Sequence, residues 1–130
     1  MAADGSGASG SPAEFDFERL ASISGGDADF EREIAGEYLA QSRQLLVQIS
    51  QAIESGDAAT LQRAAHTLKG SSRTVGAEGL GAISAELETN GSLADPATTA
   101  ELLARAQAGL ASTARQLDEY FGTDAYRKAA

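Results

Sequence analysis

The chain holds one imidazole, His66, and no cysteine. A zinc site takes about four ligands, most often His and Cys, so this chain is poorly equipped for one. The missing thiols also remove disulfides, iron–sulfur ligation and cysteine catalysis. Any histidine-dependent chemistry must therefore use this ring. At about 100° per helical residue, Leu61, Ala65, Leu68, Ser72 and Val75 fall within about 40° of one direction, and His66 points roughly 140° from Leu61. The ring is thus expected in solvent. Gln62, Lys69 and Arg73 run along its flank, one turn before, one turn after and two turns after it, and such neighbours touch on a helix.

Three cations and no carboxylate lie between Ala58 and Ala77: Arg63, Lys69 and Arg73. Chance placement of solvated charge is one reading; a local positive field suited to an anion at His66 is the other. Gly70 follows one turn after the histidine, where glycine in a helix interior costs about 1 kcal/mol relative to alanine. It either marks a close helix crossing or leaves room for a partner's backbone beside the ring. An exposed imidazole is largely neutral at pH 7 and nucleophilic through a ring nitrogen. The adjacent lysine cannot act as the orienting carboxylate of a hydrolytic triad, but it can neutralise an added phosphoryl group. The pattern suits a covalent phosphoryl carrier better than a hydrolase.

The elements that position the ring read as helices throughout. Phe15, Phe17 and Leu20 suggest a short first helix ending near Gly25-Gly26. Asp27 caps a long second one carrying Phe30, Ile34, Tyr38, Leu45, Ile49 and Ile53. Gly56 ends it, and Asp57 caps the helix that bears His66. Gly76, Gly79 and Gly81 loosen the joint into a third long element with Leu80, Ile83 and Leu87 inward, closed by Asn90-Gly91. Asp95-Pro96 opens the last, with Leu103, Ala106, Leu110, Thr113, Leu117 and Tyr120 on one stripe. The expected fold class is all-α, an up-and-down antiparallel four-helix bundle with a short extra N-terminal helix. Residues 1–14 read as a disordered tail or linker, 15–122 as the bundle, and 123–130 as a frayed C-terminal tail.

Composition closes off other classes. The 130 residues carry 10 Lys plus Arg against 19 Asp plus Glu, for a net charge of −9, which disfavours nucleic acid or an anionic membrane as partner. No apolar run reaches the ~20 residues of a membrane span, and the N-terminus has no secretory pattern, so a cytoplasmic location is expected. Asp27-Ala28-Asp29 begins like a calcium loop, but Arg32 stands where that loop needs glycine. No phosphate-binding Gly-x4-Gly-Lys-Ser/Thr loop is present, so the chain has no ATP site of its own.

Ala65-His66-Thr67-Leu68-Lys69-Gly70-Ser71-Ser72, with Val75-Gly76-Ala77 after it, Leu87-Glu88 later and Ala52-Ile53-Glu54-Ser55-Gly56-Asp57 before it, resembles the signature of histidine-containing phosphotransfer (HPt) domains. The similarity spans roughly Phe15 to Phe121. It implies a carrier, not an enzyme, that accepts a phosphoryl group on His66 Nε2 from a receiver-domain aspartate and passes it to another. Lys69 would steady the phosphoryl oxygens, Gly70 would leave docking clearance, and Gln62, Arg63 and Arg73 would face the partner. No cofactor of its own is implied, since the Mg²⁺ for transfer would sit in the receiver. Arg73 and Thr74 occupy positions that vary in such domains, and Ser84 stands where Cys or another small residue is common. The expected partners are receiver domains of response regulators or a hybrid histidine kinase, met by a monomer. The alternative is an HPt-like bundle that binds a receiver or kinase without carrying phosphate. Leu20, Ile23 and Tyr38 are candidates for an apolar docking surface.

Overall fold

A computed structural model describes residues 15–129. Five α-helices follow one another: α1 Phe17–Ile23, α2 Ala28–Ser55, α3 Ala58–Val75, α4 Glu78–Asn90 and α5 Pro96–Phe121, with a final 3-10 helix at Ala125–Ala129. Among the described residues the only β feature is an isolated bridge between Phe15 and Ala77. The expected tail at 1–14 lies outside the described residues.

Local chemistry sets the helix ends. Asp16, Asp27, Asp57 and Asp95 each accept a hydrogen bond from the backbone N–H three residues on, satisfying a donor that the helix cannot. Gly56, Gly76 and Gly122 close α2, α3 and α5 in left-handed backbone. Gly76 is needed twice over: its φ is 102°, and a Cβ there would collide with the Asp16 carbonyl, whose own N–H donates to Gly76 O at 2.8 Å. Gly91 differs from the expected turn glycine, closing α4 in extended backbone at φ −69°.

α2 packs on α3 and α5, and α4 packs on the same two, while α3 makes no close approach to α5. The apolar stripes meet in one core containing Leu39, Ile49, Leu61, Leu68, Leu80, Leu87 and Leu117, all fully buried. Phe30 and Tyr120, expected on inward stripes, are instead 46% and 42% exposed, because they sit at helix ends where the core stops. One polar contact inside that core fixes the rotation of α3. Tyr38 OH on α2 and Ser72 Oγ on α3 are hydrogen-bonded at 2.6 Å, both buried. Holding Ser72 inward turns the flank bearing His66 outward.

Where a frayed tail at 123–130 is expected, the described part, residues 123–129, folds back instead. The 3-10 helix packs on α2, Tyr126 is buried and donates its hydroxyl to Asp118 at 2.7 Å, and Arg127 grips both oxygens of the same carboxylate. Phe15, Phe17, Tyr120, Phe121 and Tyr126 form a continuous chain of ring contacts at 4.4–5.0 Å. These rings join the two terminal segments across one end of the molecule.

Candidate functional site

His66 projects from the middle of α3 with its side chain 67% exposed. The ring is not alone. Its Nδ1 lies 2.6 Å from Oε2 of Glu88, on the facing helix α4, and Glu88 Oε1 takes the Lys69 ammonium at 2.5 Å. The lysine hydrogen bond first, then the histidine one, hold the Glu88 carboxyl below its ordinary value. An ionised carboxylate only accepts, so Nδ1 carries the proton and donates. In the neutral ring that leaves the lone pair on Nε2, on a side chain that is mostly exposed. The carboxylate thus selects the tautomer and the ring plane together, as outer-shell carboxylates do for metal-bound histidines.

Glu88 changes the sequence-level electrostatics. Its charge enters the cationic stretch from another helix and compensates Lys69, so the field around the ring rests on Arg63 and Arg73. Sequence pattern alone assigns Glu88 no role, although it follows the inward-facing Leu87 and so stands at the edge of the α3–α4 contact. That position, combined with the packing of α3 against α4, is the signal that points to it.

At Gly70 the structure decides between two physical explanations. A Cβ added there meets no atom within 4 Å, so no helix crossing calls for the glycine, and the space one turn beyond His66 is open. Gln62, Arg63 and Arg73 are all exposed on the same helix. Arg63 donates to Thr60 Oγ1 at 3.3 Å, whereas Arg73 makes no hydrogen bond or ion pair among the described residues. Leu20 and Tyr38 do not form a docking surface: both are core residues, 0% and 3% exposed, drawn in by the packing of α1 and α2 on α3.

The principal grooves lie elsewhere. One of about 490 Å³ runs between α2 and α5 past Leu46, Val47 and Leu110, and one of about 540 Å³ runs between α2 and α3 past Ile34, Tyr38 and Val75; neither touches His66. None of the described grooves is lined by His66, so the exposed imidazole stands outside them. Among the described residues no serine or threonine hydroxyl bonds to it, and Glu88 is its hydrogen-bond partner. Among the described residues no group of His, Cys, Asp or Glu side chains could hold a metal ion, and no helix is long and apolar enough to cross a membrane.

No curated protein and no solved structure matches the chain. A family model does: that of the Hpt domain, over residues 33–121, which takes in His66, Lys69, Gly70 and Glu88. The chain belongs to the Hpt domain family, whose members carry phosphoryl groups on histidine in phosphorelays.

Proposed function

We propose that the chain is a phosphorelay intermediate in which His66 Nε2 takes a phosphoryl group from a receiver-domain aspartyl phosphate and yields it to the aspartate of another receiver. The observation that carries this reading is an exposed imidazole, hydrogen-bonded by a carboxylate and lying outside the described grooves. Such a group suits a partner that brings its own pocket. Neighbour contacts that close a cycle through α2, α3, α4 and α5 support an up-and-down antiparallel four-helix bundle as the scaffold.

In the forward step the Nε2 lone pair attacks phosphorus, the N–P bond forms, and the P–O bond to the donor aspartate breaks with its electron pair leaving on the carboxylate. Beyond the N–P bond that His66 itself forms, phosphoryl transfer depends on positioning and charge. The proton stays on Nδ1, where Glu88 balances the positive ring that results. That same positive ring is a good leaving group, so the arrangement serves the return step to the second aspartate equally. Lys69, one turn from the ring, is placed to move from Glu88 to the phosphoryl oxygens. Gly70 leaves clearance for the partner, and Gln62, Arg63 and Arg73 form the surrounding contact surface. The chain acts as a monomeric carrier in the cytoplasm and supplies no cofactor; the divalent cation of the transfer belongs to the receiver.

The test is incubation with a phosphorylated receiver domain and a search for acid-labile, base-stable label. His66→Gln is expected to lose the label with its helical circular dichroism unchanged, since exposed-face substitutions alter stability by about 0.5 kcal/mol or less. Label that persists in His66→Gln refutes the site; binding of the receiver without label identifies an interaction module instead.

A further inference from the structure

We propose that Arg73, seated over Gly81, is a second docking point that selects receiver domains by a carboxylate on their surface; this deepens, and rests on, the phosphotransfer reading of His66. Arg73 lies two turns beyond His66, about 10 Å along α3 and about 20° away around its axis. Any protein that covers the ring also meets this guanidinium.

Two observations single it out. The first is its charge. Lys69 is held by Glu88 and Arg63 by Thr60, leaving Arg73 as the one α3 cation without a polar partner among the described residues. Glu78, on the first turn of α4, makes no ion pair with it. The second is its seat. Gly81 is buried in α4, and a Cβ built there would stand 3.2 Å from Arg73 Cγ and 3.6 Å from Ser72 Cβ. The backbone of Gly81 is helical and makes no demand for glycine, so the missing side chain is room for the arginine stem. A stem laid across α4 in this way loses less freedom when its head binds, and the planar guanidinium matches a carboxylate with two parallel hydrogen bonds. In a chain of net charge −9, which repels acidic partners at long range, one uncompensated arginine beside the reacting ring gives such a partner a defined approach. The complementary group is an Asp or Glu on the receiver about 10 Å from its phosphorylated aspartate.

The experiment measures phosphoryl transfer from a panel of phosphorylated receiver domains to the full chain at low and high salt. The chains compared are the wild type, Arg73→Glu, Arg73→Lys, Gly81→Ala and the control Arg115→Glu on α5, a helix that does not contact α3. For receivers that label the wild type, Arg73→Glu is expected to lower the second-order rate about tenfold at low salt, to leave the rate at saturating receiver unchanged, and to lose most of its effect at high salt. Arg73→Lys restores part of the rate. Gly81→Ala, which keeps every charge but crowds the stem, lowers it about threefold, with thermal melting as the check on folding. Arg115→Glu, with the same change in net charge, stays near wild type. The proposal is overturned if Arg73→Glu is no slower than Arg115→Glu, or if Gly81→Ala transfers at the wild-type rate. Failure of every receiver to label the wild type would instead refute the phosphotransfer reading, and this inference with it.

Discussion

Gly70 gives the sharpest separation between stability and function. It sits inside α3 with helical backbone, and a Cβ there has nothing within 4 Å. Gly70→Ala therefore adds no clash and gains the helix propensity that glycine lacks, about 1 kcal/mol. Part of that gain comes from restricting the unfolded chain. For a domain of this size the melting temperature is expected to rise by about 3–6 °C. Gly70→Leu, also a good helix former, keeps most of the gain while placing a larger side chain one turn from the imidazole. If the glycine provides clearance, transfer from a phosphorylated receiver falls progressively from Gly to Ala to Leu. A tenfold loss in the leucine variant would correspond to about 1.4 kcal/mol of docking or transition-state energy. Thermal melts by circular dichroism and single-turnover transfer measure the two quantities on the same samples. Loss of stability in Gly70→Ala would mean that a packing contact required the glycine. A leucine variant that transfers as fast as wild type would refute the clearance explanation.

Other expectations follow from the ionisable groups. Glu88→Gln retains an acceptor for Nδ1 but loses the charge that balances a positive ring, so transfer slows in both directions while the helical spectrum is unchanged. The Glu88 carboxyl is held low, so the His66–Glu88–Lys69 link is fully present above the ordinary carboxylate range and is lost as pH falls through the lowered value. Carbon NMR titration of Glu88 checks this, and Lys69→Ala is expected to return the carboxyl towards its ordinary value. Burial pushes the Tyr38 hydroxyl up to about 12, with the bond to Ser72 opposing. The neutral phenol thus contributes fully below pH 10, and stability declines as pH rises from there through the folded value. Tyr38→Phe, followed by denaturant unfolding, is expected to cost about 1–2 kcal/mol at neutral pH because the buried Ser72 hydroxyl loses its partner.

Much of the scaffold was legible because its determinants are local. Asp27, Asp57 and Asp95 cap the helices they precede, and the stripe from Leu61 to Val75 is the buried face of α3. The outward direction of His66 follows from that stripe by arithmetic alone. Contacts between helices were less accessible. Glu88 is 22 residues from His66 and reaches it only because α3 and α4 pack side by side. Gly81 read as loosening a joint, whereas it accommodates the stem of Arg73. The segment after Gly122 is short and polar enough to suggest fraying, but the ring of Tyr126 and the Asp118 carboxylate fold it back. Phe30 and Tyr120 continue the periodicity of their helices past the point where neighbouring helices cover them, so pattern alone placed them inside.

The aromatic chain bears on how the domain can be isolated. Tyr120 and Phe121 form its middle, and the other three of the five rings, Phe15, Phe17 and Tyr126, fall outside residues 33–121. A fragment trimmed to the family limits would keep Tyr120 and Phe121 and strip away the rings that shield them. Its newly bared end would be sticky, and such a fragment invites self-association through those rings.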